Sequence, residues 1–476
     1  MNNALNALKR RNEMKKILAL VMAMCMILAL CACGKTAQPA ATPEPAQTPA
    51  AEPAATPEPT PDVMAKSEGV MTYADYAAAE MDSEVTIEAF VQAKESWWDD
   101  KATVYAQDAD GAYFLYDMNC SQEDYEKLVT GQKIKVTGYK SEWSGQVEIV
   151  DGKFEVEDGS WFAPATDVTE LFGTDALIDH MGEYIAVKGL VAEAQPDQEW
   201  DASSDLYLSF SLAGKAYTFT LRRYLTGNDS VTYGQVKDIK PGDIVNVEAF
   251  LYWYNEPQAR ILFSEVVGNV NDKSEGVMTY AEYEAAELES EVTVETYVQA
   301  KEGWWDNKAT VYTQDGEGGY FLYELPCSEE DYAKLVPGQK IKVTGFKSEW
   351  SGQVEIVDAE FELEDGNYIA PALDVTELFG KDELIGNMSR LIAVKGVEIT
   401  ADVDPEWDAS ADLYIDTKVN GEAVTFVLRR YLTGNDSETY AQVKDLKKGD
   451  VIDLEAFLYW YNAPQARVIS AVKAEG

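Results

Sequence analysis

Histidine is almost absent from this chain, with one residue in 476, and there are only five cysteines. Cys25, Cys31 and Cys33 fall in an apolar leader, which leaves Cys120 and Cys327 for everything that follows. With no histidine or second cysteine beside them, these two cannot build a thiolate–imidazole metal site. Each is read as a small buried hydrophobe. Positive charge is also scarce: 39 Lys plus Arg face 84 Asp plus Glu, a formal net charge of -45. Lys9, Arg10, Arg11, Lys15 and Lys16 belong to the leader with Glu13 as their only acidic neighbour, so the remainder stands near -49. So acidic a surface repels nucleic-acid phosphates and anionic membrane, and favours solubility. Catalytic signatures are missing too: there is no G-x-S-x-G, H-E-x-x-H, phosphate-binding loop or CxxC, and no repeated histidine.

What is present begins with the leader. Residues 15–33, KKILALVMAMCMILALCAC, have a basic start, an apolar core from Ile17 to Leu30 and a terminal cysteine. That core is too short and wrongly flanked for a stable membrane span and reads as a secretory signal. Its end, Leu30-Cys31-Ala32-Cys33-Gly34, resembles the bacterial lipoprotein lipobox, with Leu at -3, Ala at -1 and the modified cysteine at +1. The resemblance implies cleavage before Cys33, a diacylglyceryl thioether on Cys33, and anchorage at the outer face of the bacterial cytoplasmic membrane. Met14 is an alternative start. Residues 34–65 are rich in Ala, Pro, Thr and Glu, with TPEP written twice. Such a tract buries no core and favours extended, polyproline-like chain, so it reads as a spacer.

From Lys66 onward the chain is a duplication. Lys66 to Val267 and Lys273 to Ala474 align at a constant offset of 207 residues without an insertion. His180 faces Asn387 across that alignment, so the sole histidine is incidental to any activity the two halves share. Within each repeat a phrase recurs: GQKIKVTGYKSEWSGQVEIVD from Gly131 and again from Gly338, with looser echoes from Gly242 and Gly449. Each phrase predicts a turn glycine, an alternating strand, an aromatic corner and a second strand. Upstream, Glu84 to Lys94, Lys101 to Gln107 and Ala112 to Asp117 read as strands, and Ser121 caps a short helix. Further short helices are expected at Thr72 to Met81, Val168 to Met181 and near Ser230 to Lys237. Strand-strand-strand-helix-strand-strand resembles the OB-fold. The fold class expected is therefore all-β with short helices: tandem OB-fold-like five-stranded barrels in two duplicated units, at 66–160, 161–269, 270–367 and 368–476.

An OB-fold resemblance implies ligand binding across strands two and three, between the loops joining strands one to two and four to five. The aromatics at those places are Trp97, Trp98, Trp143, Trp200 and Trp253, repeated as Trp304, Trp305, Trp350, Trp407 and Trp460. Their faces suit stacking against sugar rings, nucleobases or aromatic peptide side chains; the opposing reading is that they seal barrel ends and joints. Asp108-Ala109-Asp110-Gly111 lacks the ligand count of a calcium loop and reads as a hairpin turn. Arg222-Arg223-Tyr224, repeated as Arg429-Arg430-Tyr431, is a basic spot expected to pair with local carboxylates. No cofactor and no metal are expected. The leading expectation is a non-catalytic, membrane-anchored binding or adaptor module for glycan or peptide. A structural spacer is the first alternative, a single-stranded nucleic-acid binder is disfavoured by charge, and a carboxylate-pair glycosidase is disfavoured by the short loops.

Overall fold

The computed structural model describes residues 64–474. The leader, Cys33 and the spacer up to residue 63 lie outside the described residues. In the first repeat five strands are laid down in order: β1 (Glu84–Lys94), β2 (Lys101–Gln107), β3 (Ala112–Asn119), β4 (Gln132–Trp143) and β5 (Gln146–Ser160). Helix α1 (Tyr73–Ala78) precedes them, and α2 (Gln122–Tyr125) lies between the third and fourth. The sheet order β1-β2-β3-β5-β4 closes on itself, through antiparallel β1–β4 pairing and a single parallel register, Leu115 opposite Ile149, between β3 and β5. Such an order, with its helix between strands three and four, is the OB-fold topology.

Closure follows from the residues. Along β4, Ile134 and Val136 are fully buried while Lys135 and Thr137 are only half-buried, the period of two that a strand with one core face requires. Gly138 continues the inward row at a point where a Cβ would lie 2.7 Å from the Ile149 side chain. Its bare backbone lets β4 cross tightly over β5. The turn that joins them is Ser144-Gly145, both at positive φ (50° and 88°), as a two-residue hairpin demands. Helix α1 has a capping box from Thr72 and Asp75, and it puts Tyr76 into the barrel core.

A second barrel follows: β6 (Thr166–Asp167), β7 (Tyr184–Ala192), β8 (Leu206–Leu212), β9 (Lys215–Leu221), α3 (Val231–Val236), β10 (Asp243–Phe250), the short pair β11 (Trp253–Tyr254) and β12 (Glu256–Pro257), and β13 (Arg260–Asn269). Strands β7, β8, β9, β13 and β10 close a ring through β7–β10 pairing, and β6 adds a two-residue parallel edge that the sequence reading missed. The helix expected over Val168 to Met181 is instead two 3-10 turns, Thr169–Leu171 and Asp175–His180. Gly173, at φ 83°, separates them. The second repeat gives the same ladder, with β14 (Glu291–Lys301), β15 (Lys308–Gln314), β16 (Gly319–Pro326), β17 (Gln339–Trp350) and β18 (Gln353–Asn367) as its first barrel. Residues from Leu373 to Lys473 form its second. Four barrels thus stand in two similar pairs, each around its own hydrophobic cluster.

Smaller clusters join the barrels. Tyr105, Phe114, Tyr184 and Phe250 form the seam inside the first repeat, and Tyr105 stacks on Phe250 at 4.4 Å. Tyr312, Phe321, Leu391 and Phe457 form the matching seam in the second. Val191, Val270, Tyr297, Tyr368 and Ala370 bury the joint between the two repeats. Cys120 and Cys327 lie in barrel cores as free thiols, and burial pushes the Cys120 thiol up to about 11, the inert state expected of them.

Candidate functional site: a cleft between paired barrels

In the second repeat the seam opens on one side into a cleft, and the corresponding residues of the first repeat surround its seam in the same way. In first-repeat labels it is built from the β2–β3 face and the β4–β5 turn of the first barrel, together with β8, the end of β9 and the 252–260 segment of the second. In the second repeat this cleft has a volume of about 520 Å³. Its rim carries exposed rings: Trp350 at 62%, Tyr414 at 58%, Tyr461 at 47% and Tyr323 at 42%. In the first repeat Trp143, Tyr207, Tyr254 and Tyr116 occupy the same positions and are exposed to nearly the same degree.

Beneath the rim lies a buried ionic brace. Glu95, at the end of β1, accepts a hydrogen bond from the Tyr105 hydroxyl at 3.0 Å, from Arg222 Nε at 3.1 Å and from Arg260 Nη1 at 3.1 Å. Arg222 also donates to Asp205 at 2.9 Å, and Arg260 lies 3.4 Å over the Tyr252 ring and bonds Tyr105. Burial alone would lower the Arg222 pKa; the bonds to Glu95 and Asp205 hold it above its ordinary value. Glu302, Tyr312, Arg429, Arg467 and Asp412 repeat the arrangement. The expectation that the Arg-Arg-Tyr spot pairs with carboxylates is met by Arg222, with one partner on each barrel. Backbone bonds stitch the walls together: Ser96 N donates to Tyr224 O at 2.7 Å, and Asn255 N to Ser144 O at 2.6 Å. The cleft is therefore held open by a fixed frame.

One group in it has no such partner. Glu148 on β5, and Glu355 at the same place on β18, are each 7% exposed, and neither carboxyl makes a hydrogen bond or ion pair among the described residues. Burial raises the Glu148 carboxyl to about 7, with the nearby Asp117 charge adding to it. Burial likewise raises Glu355 to about 7, against the pull of Arg467 and with a push from Glu324.

The ten tryptophans singled out in the sequence part company here. Trp143 and Trp350 stand on the cleft rim. Trp98 and Trp305 are exposed at 55% and 57% in the loop after β1 and its repeat, apart from the cleft lining. Trp97 and Trp304 are half-buried, their indole N–H groups donating to the Cys120 and Cys327 carbonyls. Trp200 and Trp407 are core residues, 6% and 8% exposed, packed on Tyr233 and Tyr440, with indole N–H groups donating to Ser204 and Ala411 carbonyls. Trp253 and Trp460 pack over the Gly145 and Gly352 turns, where a Cβ would come within 3 Å of the ring. They seal the joint. Among the cleft residues, sequence reasoning missed Tyr116, Tyr207 and Glu148, which lie on three separate strands. Elsewhere, Asp108 accepts from the Asp110 and Gly111 amides, a hairpin turn as read, and no metal-type cluster of His, Cys, Asp and Glu occurs among the described residues.

One pattern in the duplication maps onto this cleft. About two thirds of the aligned positions in the two repeats are identical, and the 261–267 stretch shares none with 468–474. All thirteen residues lining the cleft in the second repeat recur unchanged in the first. Seven of them come from the least changed blocks, Ser141 to Val150, Leu221 to Ser230 and Leu251 to Arg260; the other six lie in stretches that differ at neighbouring positions.

No family model matches the chain, and no curated protein matches it. Among solved structures, it is similar to the tetrameric p202 HIN2 structure (9% identity, 40% of this chain and 96% of that one, TM-score 0.20). It is also similar to p202 HIN1 in complex with 12-mer dsDNA (14% identity, 43% and 98%, TM-score 0.20). A replication protein A heterotrimer bound to ssDNA matches at 10% identity over 64% of this chain and 97% of that one, TM-score 0.19. Likenesses at this level transfer neither ligand nor role.

Proposed function

We propose that the chain is a non-catalytic binding module, anchored outside the cytoplasmic membrane through lipidated Cys33, and that the paired inter-barrel clefts are its ligand sites. The observation that supports this most is the unchanged lining of both clefts in repeats that differ at about one position in three. Packing explains the retention of the brace. It does not explain four rings left 42–63% exposed in each copy, because an exposed aromatic gains little from burial and contributes little to stability. Rings on a rigid, concave frame suit the stacking of a sugar or an aromatic peptide side chain.

Two of the cleft carboxylates are unavailable for catalysis. Glu95 and Glu302 are each held by two guanidinium groups and a tyrosine hydroxyl, which quenches them as nucleophile or base. Two measurements test the reading. Glycan, peptide and single-stranded DNA panels probed with the wild-type protein and with Trp143→Ala/Trp350→Ala should give a ligand that the variant loses, by about 1–3 kcal/mol per site. Retained binding by the variant removes the cleft from consideration. For the anchor, Cys33→Ser should shift the protein from membranes to the medium. A variant that stays membrane-bound and keeps its lipid label refutes the lipobox.

A further inference from the structure

Resting on the cleft as the ligand site, we infer its ligand class: an uncharged, polyhydroxylated ring, as in a neutral glycan, gripped by the Glu148 and Glu355 carboxyl groups.

The charges lining the cleft lead there. Of the five charged-type side chains lining the second cleft, four cancel in place: Glu302 and Asp412 against Arg429 and Arg467. No guanidinium is left to recruit an anion. Arg467 is itself buried, bonded to Glu302 and Tyr312 and stacked 3.6 Å over Tyr459. A phosphate or uronate entering the cleft would lose its water and gain no free cation, an unfavourable exchange. The fifth group, Glu355, is the one buried polar side chain of the lining with no hydrogen-bond partner among the described residues. Its oxygens are not among the fully enclosed unpartnered atoms, so solvent in the cleft reaches them, and a ligand hydroxyl entering there would give the carboxyl a fixed partner. A protonated carboxyl offers one O–H donor and a carbonyl acceptor, the pair that a sugar hydroxyl matches in both directions. Gln465, whose side chain is also free of protein partners among the described residues, offers a second neutral donor and acceptor, and the rim rings offer the apolar face.

Burial first, and the Asp117 charge second, favour the protonated form of Glu148, and the titratable groups around it are these. Asp117 and Tyr116 approach from β3, Tyr252 from the opposite barrel and Tyr76 from α1. In the second repeat Glu324 and Arg467 face Glu355, pushing in opposite directions. With the acid near pH 7, the protonated form dominates below neutrality and is lost above it.

The test is titration calorimetry on the full chain in detergent micelles at pH 5.5, 7 and 8.5, with four probes: a neutral hexose hexamer, a chitin hexamer, a uronate hexamer and oligothymidylate. At least one neutral hexamer should bind, at least tenfold more tightly than the uronate or the DNA. Its affinity should fall by about tenfold per pH unit once the acid ionises above about 7. Glu148→Gln/Glu355→Gln keeps a neutral donor and acceptor, so it should still bind and lose the pH dependence. A charged probe that binds best, and is lost in Trp143→Ala/Trp350→Ala, overturns the ligand class while leaving the cleft as the site. Neutral binding that survives those tryptophan changes overturns both. A flat wild-type pH profile, or no neutral hexamer bound at any pH, overturns the inference.

Discussion

At the scale of single residues, the tryptophans show how far side-chain type alone goes. Ten were candidates by loop position, and they take five environments, from 6% exposed at Trp200 to 63% at Trp143. These differences are energetic and can be measured. Trp143→Ala should change unfolding free energy by less than about 1 kcal/mol, since the ring is mostly in water, whereas Trp200→Ala empties a packed core site and should cost about 3–5 kcal/mol. Denaturant melts of the two variants check this, and a large loss at Trp143 would make it a seal. Sequence did not separate the two, because Trp143 and Trp200 each directly follow a glutamate at a place expected to be a barrel rim. What distinguishes them is Tyr233, which α3 brings beneath Trp200 from more than thirty residues away. Glu148 was invisible for a similar reason. It reads as the polar position of an alternating strand, and its burial depends on residues from other segments, Tyr252 of the second barrel among them.

At the scale of elements, the hairpin with its Ser144-Gly145 turn organises the site. Its strands close the first barrel, its Trp143 forms the rim, and its turn receives Trp253 from the second barrel. Much of this was legible in the chain. The strand-turn-strand phrase, the capped helix before it and the β1 and β2 limits are those the sequence predicts, because alternation and turn chemistry are local signals. The segment from Val168 to Met181 was misread as a helix because its apolar spacing persists across Gly173, whose positive φ breaks it into two tight turns. Gly145→Ala should be costly on two counts. It puts a Cβ at φ 88° and 2.8 Å from Trp253 Cδ1, so a loss of about 1–3 kcal/mol is expected, along with a change in tryptophan fluorescence as the joint loosens. A variant with wild-type stability and spectrum would show that the joint does not depend on that contact.

At the scale of the whole molecule, the duplication places the same set of cleft residues twice on one chain. The repeats are joined by the Val191, Val270, Tyr297, Tyr368 and Ala370 cluster, so the clefts are presented by a packed joint rather than by a loose linker. The arrangement suits a ligand with repeating units, for which the second contact is intramolecular and avidity rises without any new interaction. Sequence showed the doubling through the constant offset of 207 residues, but not the cleft, since its lining is drawn from two barrels and becomes contiguous only when they pair. The central claim is that each repeat carries one complete ligand site. Calorimetric stoichiometry with a ligand too short to bridge the clefts tests it most directly. Two equal sites per chain are expected in the wild type, one in Trp143→Ala with Trp350 intact, and none in the double variant at the same concentrations. A single site in the wild type, or two sites that survive the loss of both tryptophans, would contradict it.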